Sequence, residues 1–243
     1  QFNLMVASGN LTDIIEQNWM GRPGGPEKAL EDGVIIDMTD LIDQYAPNYK
    51  KILEETPEGA RQAATSSGRQ YMMTGFYYGD AVAAKIMIGP QYRRDWLRRL
   101  NLEDPVTIED WYNVLTAVKN NDANGNGDPN DEIPLISKGA SISCANDNIN
   151  VLASGFGVNM KFYNDNGTVK FGPYEPEWKE YLQEMNKWYS EGLIDVEFAT
   201  TDKTMFDAKI FGNQAGFWFC GLMGDMGRFV KYCDEDEPDW EIA

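Results

Sequence analysis

Residues 122–133 read Asp122-Ala-Asn-Gly-Asn-Gly-Asp-Pro-Asn-Asp-Glu-Ile133, an acidic, Asn-Gly-rich stretch set between a helix signal and a short apolar run. Oxygen-bearing side chains at alternate positions, with Gly127 permitting a sharp turn at the sixth, are what a hard cation such as calcium needs from a short loop. Upstream, Thr107 and Asp110 have the spacing of a capping box with Asp at the acidic position, and Trp111, Leu115 and Val118 follow at helical spacing. Downstream, Ile133-Pro-Leu-Ile136 is a strand candidate.

The loop matches an EF-hand only in its first half. Asp122, Asn124 and Asn126 take the first, third and fifth positions and the Asp128 carbonyl the seventh, but the twelfth is Ile133, and Asp131 and Glu132 arrive early. Pro134 and an apolar run replace the second EF-hand helix, which excludes a sensor that opens on binding. The loop therefore predicts a static structural calcium; the competing reading is a surface turn that binds nothing.

Elsewhere, helical and strand signals alternate. Phe2, Met5 and Val6 suit a last helical turn stopped at Gly9, and residues 11–15 a short buried strand. Short helices are expected after Gly24-Gly25-Pro26, over 40–44 with Thr39 as N-cap, and over 47–54 and 57–65, with a turn at 66–68. A strand over 85–88 and a helix over 92–100 follow, then, beyond the loop, a helix over 146–154 closed by Gly155. Residues 160–163 and 168–171 flank a four-residue hairpin turn at 164–167. The clearest helix covers 175–191, with Trp178, Leu182, Met185 and Trp188 or Tyr189 as its apolar face; a strand over 214–219 and a helix over 222–232 complete the chain. The alternation predicts α/β layers with some parallel sheet.

Composition removes several function classes. A net charge of −18 lacks the electrostatic footprint of a protein that grips phosphate backbones, so nucleic acid is not expected as a partner. There is no histidine, which excludes triad proteases and most zinc chemistry. Cys144, Cys220 and Cys233 show no CxxC spacing; one bridge or free buried thiols both suit them. No apolar run is long enough to span a bilayer. The opening Gln1-Phe-Asn-Leu-Met-Val reads as mid-element, so the chain is expected to be an internal or processed piece.

An ordered set of segments, from Ala7-Ser-Gly-Asn-Leu-Thr-Asp-Ile-Ile15 through Arg93-Arg-Asp-Trp-Leu97, Pro105 to Trp111, the loop ending Asp131-Glu-Ile-Pro134, and Trp188-Tyr-Ser-Glu-Gly-Leu-Ile-Asp195, resembles the extracellular solute-binding proteins, family 1, of bacterial ABC sugar importers. Within that family it is similar to the lipoprotein type of Gram-positive bacteria and to alginate-oligosaccharide binders. The resemblance implies a two-lobed periplasmic-binding-protein-like (type II) α/β fold with hinge-crossing strands, incomplete here at both ends. Residues 1–85 would belong to the first lobe, 86–104 to a crossing segment and helix, 105–232 to the second lobe with its structural calcium loop, and 233–243 to the start of a return crossing. It further implies a monomeric cell-surface lipoprotein that delivers an oligosaccharide to permease subunits and meets the membrane only through a lipid anchor outside this segment. Thr12 stands where the family usually has proline, and one extra residue between Asn126 and Asp131 leaves the roles of Asp131 and Glu132 open.

A sugar offers hydroxyls and an apolar ring face, so its site needs acidic or amide side chains beside aromatic planes. By position in the family, Asp13 is the expected hydroxyl acceptor, with a cap or turn residue as the alternative. Trp218 is the expected stacking aromatic, strand alternation sending Phe217 and Phe219 to one face and Trp218 to the other. Trp19, Tyr77 and Tyr78 are second-rank candidates, and Arg93 is either a cleft contact or part of a solvated helix start over a buried Trp96. Two other functions compete: a glycoside hydrolase fragment, for which no carboxylate pair shows a defined separation, and a calcium-dependent adhesion module, which the α/β alternation disfavours.

Overall fold

The computed structural model describes residues 2–75, 88–139, 149–221, 225–235 and 239–243. It divides into two units, Gln1–Gly79 and Asp80–Ala243.

Among the described residues of the first unit, prolines and glycines set the ends of five short helices. These are α1 (Phe2–Ser8), α2 (Gly25–Glu31), α3 (Thr39–Tyr45), α4 (Pro47–Glu55) and α5 (Pro57–Ala63). Proline occupies the first turn of α2, α4 and α5, where its missing N–H forfeits no helical bond. Trp19, Ala29 and Tyr71 form the buried centre, with Phe2 packed edge-on against Trp19 at 5.6 Å.

Two local expectations fail here. Residues 11–15 are not a strand: Ile14 is 88% exposed, and the Thr12 hydroxyl donates to the Ile14 carbonyl at 2.9 Å. A five-residue apolar run specifies a strand only when a neighbour supplies the ladder, and none of the described residues does. Thr39 lies inside α3 rather than capping it; its N–H (2.9 Å) and hydroxyl (2.6 Å) both donate to Oδ1 of Asp37, two residues back.

The second unit holds β1 (Ile88–Tyr92), α6 (Arg94–Arg99), α7 (Ile108–Lys119), β2 (Ile133–Leu135), a 3-10 segment (Ile149–Phe156), the hairpin β3 (Phe162–Asp165) and β4 (Thr168–Phe171), α8 (Pro176–Ser190), α9 (Lys203–Phe211), β5 (Ala215–Gly221) and α10 (Gly227–Glu235). The capping box forms as read: Thr107 Oγ1 accepts from the Asp110 N–H (3.1 Å), and Asp110 Oδ2 accepts from the Thr107 N–H (2.8 Å).

Strand β5 is central in a β1-β5-β2 sheet, antiparallel to β1 (Ile88↔Gly221 to Tyr92↔Phe217) and parallel to β2 (Ile133↔Ala215, Leu135↔Phe217). Residues 240–243 lie along the far side of β1: Tyr92 and Ala243 exchange two N–H···O bonds of 3.0 Å. Phe217 and Phe219 join the larger core with Trp96, Leu97, Trp111, Leu115 and Trp188, while Trp218 and Cys220 face a second cluster with Phe206, Ile210 and Phe229. Gly216 allows a close approach to Trp96, because a Cβ there would lie 3.1 Å from that ring.

Several boundaries move. Tyr92 closes β1, so the helix expected from 92 begins at Arg94. Trp96 is buried, as expected of the helix start, and with Leu97 it packs in the second unit's core. On α8 the inward face is Tyr181, Met185 and Trp188, while Leu182 is 50% exposed. The hairpin turns in two residues rather than four: Asp165 pairs with Thr168, and Asn166 (φ 49°) and Gly167 (φ 92°) take the left-handed conformations of a type I′ turn. The helix expected from 146 is 3-10 over Ile149–Phe156, and the last helix is Gly227–Glu235. Of the strand expected over 85–88, only Ile88 is among the described residues, and Cys144 lies outside them.

Candidate functional site

The loop between α7 and β2 folds inward on its own oxygens. Asp122 accepts from the N–H groups of Asn126 (3.0 Å) and Gly127 (3.0 Å), and Asn126 Oδ1 from Asp128 N–H (2.8 Å). Asp131 takes the side-chain amides of Asn124 (3.0 Å) and Asn126 (2.7 Å), one on each carboxylate oxygen. Gly125 (φ 74°) and Gly127 (φ 94°) supply the left-handed turns that this path requires. Glu132 Oε1 accepts from Asn124 N–H at 3.3 Å, but its Oε2 is buried without a hydrogen-bond partner. Burial accordingly pushes the Glu132 carboxyl above the usual range.

That buried, unsatisfied carboxylate oxygen in an all-oxygen side-chain set fits a hard cation better than it fits a neutral turn. Among the described residues no three Asp, Glu, Cys or His side chains gather as a metal cluster, so a cation here would depend on amide and main-chain oxygens as much as on carboxylates.

One residue that positions the loop gave no sequence signal. Asn213, at φ 58°, accepts Asn124 Nδ2 on its carbonyl (3.1 Å) and an Arg93 N–H on Oδ1 (2.6 Å). It lies far from the loop in sequence, and only the parallel β2–β5 pairing, with Ile133 N–H donating to the Gln214 carbonyl at 2.7 Å, brings it alongside.

The expected sugar contacts differ in exposure. Asp13 is exposed. Trp19 is 5% exposed and belongs to the first unit's core. Trp218 does point away from Phe217 and Phe219, but that second face is covered too: Trp218 is fully buried, with the Phe229 ring 5.6 Å away. Arg93 is 1% exposed; it pairs with Asp95 (2.6 Å) and lies 3.7 Å from the Trp240 ring centroid, so it is neither a solvated helix start nor an open cleft contact. Tyr77 and Tyr78 lie outside the described residues.

No family model matches the chain. Over 229 residues it is 33% identical to the fructooligosaccharide ABC transporter substrate-binding protein FusA of Streptococcus pneumoniae, covering 89% of this chain and 41% of that protein. The solved FusA complex with kestose superposes with a TM-score of 0.70 at 31% identity, over 90% of this chain and 45% of that one; a FusA EF-hand mutant in complex with fructo-nystose gives 0.69 at 30%, over 90% and 45%. An alginate-binding protein solved without calcium ion gives 0.71 at 28%, over 99% and 47%. The chain thus spans less than half the length of the relatives it matches. These relatives are transport binding proteins, not enzymes, with the type II binding-protein fold.

Proposed function

We propose, from the premise that this chain is homologous to the solute-binding proteins of ABC sugar importers, that it is part of an extracellular protein which captures an oligosaccharide by lobe closure and hands it to permease subunits. The observation that carries the reading is the match to the kestose-bound relative, with a TM-score of 0.70 over 90% of this chain. Capture needs no bond-breaking group; closure of two lobes over a sugar is a shift between open and closed populations. On this reading Gln1–Gly79 contributes to one lobe and Asp80–Ala243 to the other, the protein is a monomer held at the cell surface by a lipid anchor, and Asp13, exposed in the first unit, accepts sugar hydroxyls.

The loop belongs to the same proposal as a structural calcium site. Asp122, Asn124, Asn126, the Asp128 carbonyl, Asp131 and Glu132 would hold the ion, which supplies the positive charge that the buried Glu132 oxygen lacks. A relative carries an EF-hand and another was solved specifically without calcium, which supports that assignment.

Incubation of the full-length protein with labelled oligosaccharides tests the function. A ligand-induced rise in melting temperature with the sugar recovered intact is expected. Shorter products would instead identify a glycoside hydrolase.

A further inference from the structure

The carboxyl ends of β2 and β5 bring together charged side chains that are distant in sequence. Lys138 follows β2, Asp225 and Arg228 follow β5, and Asp207 lies on α9. Lys138 Nζ stands 3.3 Å from Asp225 Oδ2. Arg228 donates to both Asp207 oxygens (2.7 and 2.9 Å) and to Asp225 Oδ1 (3.2 Å). The cations are also held from below, Lys138 Nζ at 5.1 Å from the Phe206 ring centroid and the Arg228 guanidinium at 4.7 Å from that of Phe229.

Two features separate this cluster from an ordinary surface ion pair. Its side chains are 21–35% exposed, so they are fixed by packing yet keep an open side. It also lies where parallel strands end, and in open α/β sheets the crevice beyond the strand carboxyl ends is where ligands gather. β1 begins at the same edge, with Ile88 opposite Gly221.

We propose, resting on the oligosaccharide-capture reading, that Lys138 and Asp225 hydrogen-bond ligand hydroxyls, that Arg228 and Asp207 are positioning residues, and that the cluster selects a neutral sugar over a uronate. Hydroxyls both donate and accept, so an adjacent ammonium and carboxylate satisfy one vicinal pair with charge-assisted bonds. A uronate would bring its own carboxylate against Asp225, whose repulsion offsets the attraction of Lys138. Arg228 and Lys203 are both held by Asp207 (2.7 and 2.8 Å), so the pair left to meet a ligand is Lys138 and Asp225.

The test is calorimetric titration and thermal melting of the full-length protein with four neutral trisaccharides (kestose, maltotriose, xylotriose and mannotriose) and with trigalacturonate. The wild type is expected to bind a neutral sugar and to discriminate against trigalacturonate. Lys138→Met should weaken neutral-sugar binding by at least about tenfold, the scale of one charge-assisted bond, while Lys138→Arg recovers part of it and Lys161→Met, at an exposed lysine outside the cluster, changes nothing. Asp225→Asn should raise the ratio of trigalacturonate to neutral-sugar affinity by about tenfold, which a purely structural ion pair would not do. Wild-type affinity in both Lys138→Met and Asp225→Asn, or a wild type that prefers trigalacturonate, overturns the proposal while leaving capture intact. A wild type that binds none of the five sugars removes the capture reading and this proposal with it.

Discussion

Trp218 Nε1 donates to Gln91 Oε1 at 3.1 Å, joining two fully buried side chains across the β1–β5 pair. The same Gln91 oxygen accepts from Cys220 Sγ (2.9 Å), and Gln91 Nε2 donates to the Cys220 carbonyl (3.4 Å). One carboxamide thus satisfies the polar groups of the second cluster, and burial pushes the Cys220 thiol up to about 12. The network also explains why Trp218 has no free face for a sugar ring.

Gln91→Leu keeps the volume and removes the acceptor, stranding the Trp218 N–H. A loss of about 1–3 kcal/mol is expected, as for a buried donor left unsatisfied. Urea unfolding with an unchanged slope measures it, and a midpoint equal to the wild type would show the network to be dispensable.

Thr107 and Asp110 provide a second measurement. Backbone and side-chain hydrogen bonds from Thr107 hold the Asp110 carboxyl below the usual aspartate range. A carboxyl depressed in the folded state contributes stability above its unfolded pKa and loses it as pH falls through the folded value, so the cap should fail only in acid. Carbon-detected NMR titration should find an Asp110 midpoint below an ordinary aspartate's. Thr107→Ala should return it toward normal and cost about 1 kcal/mol.

On α8, neighbouring residues should behave oppositely. Tyr181 is 1% exposed and Leu182 50%. Tyr181→Ala should cost about 3–5 kcal/mol, as large aromatic truncations in cores do, whereas Leu182→Ala should stay within about 0.5 kcal/mol. Equal effects in chemical denaturation would contradict the assigned face.

For the acidic loop, a chelator should lower the melting temperature, and calcium should restore it. Asp122→Ala should melt lower and lose that sensitivity, since it removes the first-position carboxylate that also accepts two loop N–H groups. Identical melts with and without chelator would argue against a resident ion.

Local rules were legible where neighbours in sequence do the work. The capping box, the proline-initiated helices and the alternation in β5 all depend on contacts within a few residues, and they form as read. The Asn-Gly hairpin and α8 were visible too, but the pair register shortened the turn, and on α8 Tyr181 takes the buried place expected of Leu182 while Met185 and Trp188 face inward as expected.

What the sequence determined by itself is the α/β character, the exclusion of histidine chemistry and the loop's oxygen spacing, because composition and short-range geometry suffice for each. Only the tertiary structure decided that residues 11–15 lack a strand, that Arg93 and Trp218 are core, and that Lys138 meets Asp225. Alternation says that two faces of a strand differ, but whether the second meets solvent or another helix depends on α9 and α10, which cover it through Phe206, Ile210 and Phe229. Burial is a property of the partners, and their arrival is set by long-range strand pairing that no local pattern encodes.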